Sequence, residues 1–151
     1  MIPYGRQEIT EDDVAAVVAT LKSDFLTQGP AIPRFERALA DYCGATHAVA
    51  VCNATAALHM ACEALGLGPG DRLWTSPNTF VASANCGLYC GATVDFVDID
   101  PRSYNMSVSA LAARLEAAEA AGTLPKIVIP VHFAGQSCDM QAIHALGQRY
   151  G

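Results

Sequence analysis

Only two lysines, Lys22 and Lys126, occur in this chain, and no run of basic residues interrupts it. With a net charge of -6 and a pI near 5.0, that shortage argues against a nucleic-acid or anionic-membrane partner and points to a small-molecule ligand. No apolar run approaches the ~20 residues of a membrane-spanning helix. The opening Met-Ile-Pro-Tyr-Gly-Arg-Gln-Glu lacks the basic region and apolar core of a secretory leader, so the cytoplasm is the expected compartment. Six cysteines are present, but none forms a Cys-x-x-Cys pair and nothing signals secretion; most are expected to be reduced core residues. Cys86 and Cys90 are spaced to share a helix face. No His or carboxylate stands beside them in sequence to complete a tetrahedral set, so no metal site is expected. There is also no internal repeat and no low-complexity linker.

What is present is apolar material in a regular order. A hydrophobic content of 52% over 151 residues is enough to bury a sizeable core. Thr10 followed by Glu11, Asp12 and Asp13 reads as a helix start, with Val14, Val17, Val18 and Leu21 recurring on one face. Residues 24 to 30 break that pattern as an exposed loop. Pro30 suits the first turn of a second helix expected to bury Phe35, Leu39 and Tyr42. From His47 the chain alternates: strand near 47 to 52, helix near 54 to 65, strand near 72 to 75, helix near 79 to 90, strand at 93 to 98. A Ser107-capped helix, a strand from Lys126 to His132 and an Asp139-capped helix carrying Ile143, Leu146 and Tyr150 complete the series. Such alternation with near-continuous apolar strands predicts a largely parallel sheet covered on both faces. Gly151 falls at a helix C-cap position, after which the alternation calls for another strand; the sequence is expected to stop within a domain.

In a parallel sheet, ligands collect at the carboxyl ends of strands, where residues 53 to 55, 76 to 80 and 132 to 136 lie. Asn53, Ala54 and Thr55 join an apolar strand to a small-residue helix. The free amides at the head of that helix and its dipole suit a phosphate, although an ordinary N-capped turn accounts for the same residues. Phe80 could stack on a planar ligand or simply fill a core. His132 and Gln136 form a polar pair that can orient a ligand. Asp98 and Asp100, before Pro101, read as turn chemistry, and His47, His59 and His144 have no evident catalytic partner. Gly66-Leu-Gly-Pro-Gly-Asp71 closes a helix and precedes a strand, the reverse of the dinucleotide-binding fingerprint, which removes the argument for a nicotinamide cofactor.

Seven segments together carry a resemblance: Leu-Thr-Gln-Gly-Pro (26 to 30), Phe-Glu-Arg-Ala-Leu (35 to 39), Asn-Ala-Thr-Ala-Ala-Leu-His (53 to 59), Gly-Pro-Gly-Asp (68 to 71), Pro-Asn-Thr-Phe-Val-Ala (77 to 82), Phe-Val-Asp-Ile-Asp (96 to 100) and Val-His-Phe-Ala-Gly-Gln (131 to 136). Collinear across the chain, they resemble the DegT/DnrJ/EryC1/StrS sugar aminotransferases, and among these the branch on the route to pseudaminic acid that forms UDP-4-amino-4,6-dideoxy-N-acetyl-β-L-altrosamine. The resemblance implies the large domain of a fold-type I pyridoxal 5'-phosphate (PLP) transferase, a truncated three-layer α/β/α unit with a mostly parallel sheet. It further implies a homodimer that moves an amino group from glutamate to a UDP-linked 4-keto-6-deoxy amino sugar. On this reading residues 1–45 form a helical arm and substrate loop, and residues 46–151 the first, incomplete part of the PLP-binding domain. Ala54 and Thr55, with Asn53, match the phosphate turn, and Phe80 matches the aromatic that stacks on the pyridine ring. Tyr4, Asp24, Phe25, Leu26, Thr27 and Ala54 match positions lining the nucleotide-sugar site.

The family places its Schiff-base lysine and pyridinium-pairing aspartate further along than residue 151, and neither Lys22 nor Lys126 matches the catalytic motif. The stretch is therefore expected to be inactive alone. Two other readings stay open: an inactive half-domain that binds a nucleotide-sugar or a partner through an uncovered sheet edge, and a PLP-dependent sugar dehydratase with His in place of the catalytic Lys.

Overall fold

A hydroxyl facing a carboxylate three residues later starts the first helix. Thr10 Oγ1 accepts from the Asp13 N–H at 3.3 Å while Asp13 Oδ2 accepts the Thr10 N–H at 2.8 Å, a capping box at the head of α1 (Glu11–Leu21). These hydrogen bonds, the backbone one foremost, hold the Asp13 carboxyl below its ordinary value. Pro30 precedes α2 (Ala31–Cys43), and Gly44 ends it in the left-handed conformation. Both helices belong to the first of two units, residues 1–50 and 51–151. The computed structural model describes residues 5–151; Tyr4 lies outside them.

Two expectations for the first unit need correction. Phe35, Leu39 and Tyr42 of α2 are exposed, Tyr42 by 91%, and so are Val14, Val17, Val18 and Leu21 of α1; in α2 only Ala40 is buried. Periodicity records which face of a helix is apolar, not what covers it. The strand expected near 47–52 does not form either. A strand exists only through its ladder, and no described segment pairs with this one; the Ala50 N–H goes instead to Glu36 Oε1 at 2.8 Å.

The second unit is built on three parallel strands in the order β2-β1-β3, where β1 is Arg72–Thr75, β2 is Thr93–Phe96 and β3 is Ile127–Ile129. Thr75 stands opposite Phe96 on one side and Ile129 on the other, so all three carboxyl ends meet one edge. Successive strand residues point to opposite faces, and Leu73 and Trp74 of β1 divide the core accordingly. Leu73 packs with Cys62, Leu67, Cys86, Cys90 and Ala92, which come from or adjoin α3 (Ala54–Ala64) and α4 (Ala82–Tyr89). Trp74 packs with Val97, Met106, Leu111, Leu115, Ala118, Cys138 and Ile143, from α5 (Val108–Ala121), α6 (Met140–Tyr150) and the loops before them. Helices thus cover both sheet faces, giving three layers. Burial of side chains such as Leu73 and Leu111 contributes about 1.5–3 kcal/mol each.

The helix caps anticipated from sequence are in place. Ser107 Oγ accepts from the Ala110 N–H, Asp139 Oδ1 from the Ala142 N–H, and Gly122 (φ +65°) closes α5. Asp71 Oδ2 accepts the Gly68 N–H at 2.9 Å within the Gly68–Asp71 turn. Cys62, Cys86, Cys90 and Cys138 are buried, Cys43 and Cys52 exposed, and all six are free thiols.

Candidate functional site

The carboxyl end of β1 runs into a series of polar residues. β1 stops at Thr75, whose Oγ1 donates to the Ile129 carbonyl at 3.0 Å and ties the ligand edge of β1 to β3. Ser76 follows, its Oγ buried without a hydrogen-bond partner among the described residues. An orphaned hydroxyl at this edge is a donor awaiting an acceptor. The chain then passes Pro77, Asn78 and Thr79 to Phe80. Helix α4 begins at Ala82, later than the expected residue 79, so Phe80 precedes the helix and is 74% exposed. Among the described residues nothing packs the Phe80 ring into the core.

Helix α3 supplies the anion-binding end. Asn53 is extended (φ -167°), and its Oδ1 accepts the Ala56 N–H at 2.9 Å, while the Ala57 N–H reaches the Asn53 carbonyl. This cap orders the first turn and leaves the amides of Ala54 and Thr55 without an acceptor among the described residues. Two parallel N–H groups with no acidic side chain in the first turn suit a phosphate. Helix α3 packs against α4, the helix that Phe80 introduces.

His132 and Gln136 bracket a tight turn, residues 133–135, after β3. His132 Nδ1 accepts the Cys138 N–H at 3.0 Å, which commits that nitrogen to the backbone and, in the neutral ring, leaves the proton on Nε2. Ala134 takes the left-handed conformation (φ 51°) that non-glycine residues seldom adopt. What holds the turn is Asn105, a buried residue that sequence reasoning passed over. Its Nδ2 donates to the carbonyls of Gln136 and Ser137, both at 3.0 Å, and its Oδ1 accepts the Phe133 N–H at 2.8 Å. Gln136 lines a cleft of about 740 Å³ with Asn105, Ser107 and Asp139; His132, Phe80 and Asn53 are not part of it. The structure therefore does not gather every predicted residue into one cavity. Cys138, beneath this cleft, donates from Sγ to the Val131 carbonyl, and burial raises its pKa.

Other polar residues behave as turn chemistry. Asp100 Oδ1 accepts the N–H groups of Arg102 and Ser103, which, Arg102 first, hold its carboxyl below the usual range. Lys126 sits at the amino end of β3, where Nζ binds Asp71 Oδ2 at 2.9 Å and the Gly66 carbonyl at 2.5 Å; it faces away from the ligand edge. Lys22 closes α1 in the other unit. Asp24, Phe25, Leu26 and Thr27 form the exposed loop anticipated for them, with the Phe25 N–H on Ser23 Oγ.

Comparison with known proteins identifies the family to which the chain is similar. The DegT/DnrJ/EryC1/StrS aminotransferase family matches residues 7–151. The spore coat polysaccharide biosynthesis protein SpsC of Bacillus subtilis is 45% identical over 150 residues, 99% of this chain and 37% of SpsC. GDP-perosamine synthase of Caulobacter vibrioides is 48% identical over 122 residues, 81% of this chain and 31% of its own. Among solved structures, Helicobacter pylori PseC, an aminotransferase of pseudaminic acid biosynthesis, superposes with a TM-score of 0.87 at 29% identity, covering 98% of this chain and 38% of PseC. Solved neighbours include both a PLP form and a pyridoxamine-phosphate form. The chain spans about a third of the length of these relatives.

Proposed function

The chain belongs to the DegT/DnrJ/EryC1/StrS aminotransferase family, whose members use PLP, and from that premise we propose that it forms part of a sugar-nucleotide transaminase. The reaction we assign to the whole enzyme is transfer of an amino group from glutamate to a UDP-linked 4-keto-6-deoxy amino sugar of the pseudaminic acid route, carried out by a cytoplasmic homodimer. The observation that carries this reading is the capped head of α3, with two free amides, on a helix packed against the one that Phe80 introduces.

Each described residue is assigned a task. Asn53 orders the turn, and the amides of Ala54 and Thr55 hold the cofactor's phosphate. Phe80 covers one face of its ring. Bound there, the cofactor supplies an electron sink for moving nitrogen between carbon centres. The buried Ser76 hydroxyl offers a hydrogen bond at the same strand edge. By the resemblance, Tyr4, Asp24, Phe25, Leu26 and Thr27 of the first unit are assigned nucleotide-sugar contacts, as is Ala54 of the second, where the His132–Gln136 turn follows the ligand edge of β3.

Proton transfer at the reacting carbon requires a lysine at that edge, and Lys126 is engaged at the opposite end of its strand. Residues 1–151 alone are therefore expected to bind cofactor without turning over. The test is glutamate-dependent amination of UDP- and GDP-linked keto-sugars by the full reading frame and by residues 1–151. Amination of the UDP-linked 4-keto sugar by the longer protein alone supports the assignment. Loss of water from the sugar without amination would replace it with the dehydratase reading, and binding without turnover in either would leave the half-domain reading.

A further inference from the structure

Helices α3 and α4 bring together a second set of chemically able side chains, on the sheet face that holds Leu73. His59 and Glu63 stand one turn apart on α3, and Cys90 closes α4. One ligand atom from each of the three lies within 4.8 Å of the other two. His59 Nε2 and Glu63 Oε1 are 3.5 Å apart. Two oxygen or nitrogen ligands about 2.0–2.1 Å from one tetrahedral ion stand about 3.3–3.4 Å apart, so this pair is already at a shared-ion spacing. His59 Nε2 is itself buried and makes no hydrogen bond within the described residues, although the rest of the side chain is partly exposed. The His59 ring is fixed edge-on to Tyr89, with centroids 5.3 Å apart at 62°.

We propose that His59 Nε2, a Glu63 carboxylate oxygen and Cys90 Sγ form a three-ligand site for a zinc-class divalent cation, with water in the fourth position. A mixed nitrogen, oxygen and sulfur set selects zinc or cobalt over magnesium or calcium, which take oxygen ligands almost exclusively. Bringing Cys90 Sγ from within 4.8 Å to tetrahedral spacing takes a side-chain movement of about 1 Å. Without the ion, Cys90 is kept as a thiol, first by burial and then by the nearby Glu63 carboxylate. Metal binding displaces that proton to solvent and turns the thiol–carboxylate contact into two bonds to one ion. Cys62 and Cys86 lie alongside in the same buried cluster, and burial first, then the neighbouring thiols, keep Cys62 protonated. The ion would join α3 to α4, the helices whose leading ends carry Asn53 and Phe80. Zinc would thus act as a staple, apart from the chemistry.

The sequence signal for this site was the His59–Glu63 spacing of four residues on one helix; its third ligand comes from another helix, which no local motif shows. The test is a Co²⁺ titration of the chelator-treated full protein, followed by Zn²⁺ displacement, in wild type, Cys90→Ser and Glu63→Gln. Wild type should bind one equivalent with a thiolate-to-cobalt charge-transfer band that Zn²⁺ abolishes, and its melting temperature should rise with Zn²⁺. Cys90→Ser should lose the band, and Glu63→Gln, a surface change that leaves the fold alone, should weaken binding at least tenfold. No thiolate band in wild type, an undiminished band in Cys90→Ser, or unchanged affinity in Glu63→Gln would each overturn the site.

Discussion

Replacing Asn105 by alanine removes three hydrogen bonds from a side chain that is only 4% exposed. At about 1 kcal/mol each, the loss approaches 3 kcal/mol. Gln136, Ser137 and Phe133 are exposed residues whose freed groups regain some water, and the lost bonds lie beside a strained Ala134. A destabilisation of about 2–3 kcal/mol is expected. Urea unfolding followed by fluorescence of Trp74, the single tryptophan and part of the same core cluster, measures it directly. Asn105→Asp separates the bonds: it keeps the acceptor for Phe133 but turns an anion toward two carbonyl oxygens. It should be at least as damaging as alanine at neutral pH and partly recover in acid, where a protonated carboxyl donates once. An alanine variant within about 0.5 kcal/mol of wild type would refute the claim that Asn105 holds the 133–136 turn.

Three further outcomes follow from particular contacts. Gly87→Ala places a methyl 2.8 Å from Val94 Cγ2 and 3.2 Å from Leu73 Cβ; overpacking of about 1–3 kcal/mol outweighs a helix-propensity gain of about 1 kcal/mol, so urea unfolding should show net destabilisation. Asn53→Ala should cost about 1 kcal/mol of stability through the lost cap, whereas Phe80→Ala, trimming an exposed ring, should change stability by less than about 0.5 kcal/mol; the same assay compares them. The Asp71 carboxyl is held below its unfolded value, chiefly by the Lys126 hydrogen bond. Its contribution is therefore present above about pH 3.9 and disappears as pH falls through the lower folded value. Acid titrations of stability should show that decline in wild type and a flatter profile in Lys126→Met.

The helix starts and the sheet were legible because their determinants are local: Thr10, Ser107 and Asp139 each cap the helix they precede, and the expected strand segments at 72 to 75 and 127 to 129 formed parallel strands. The segment 47 to 52 misled because its apolar pattern is that of a strand, while a strand also needs a pairing partner and no described segment supplies one. Phe35, Leu39 and Tyr42 misled for the same reason: an apolar face was read as a buried one. At the site, Asn53 and Phe80 stand at junctions visible in the sequence. Asn105 was missed because its partners lie 28 to 32 residues away, and nothing near it distinguishes a buried amide from a loop asparagine.

The central claim is that the head of α3 holds a cofactor phosphate beside Phe80. Titration of the protein with pyridoxamine 5'-phosphate and with pyridoxamine tests it most directly, since neither compound carries an aldehyde that would react with Lys22 or Lys126. The account predicts that removing the phosphate weakens binding at least tenfold and that Phe80→Ala weakens both compounds. Equal binding of the two compounds, or affinities indifferent to Phe80, would contradict it.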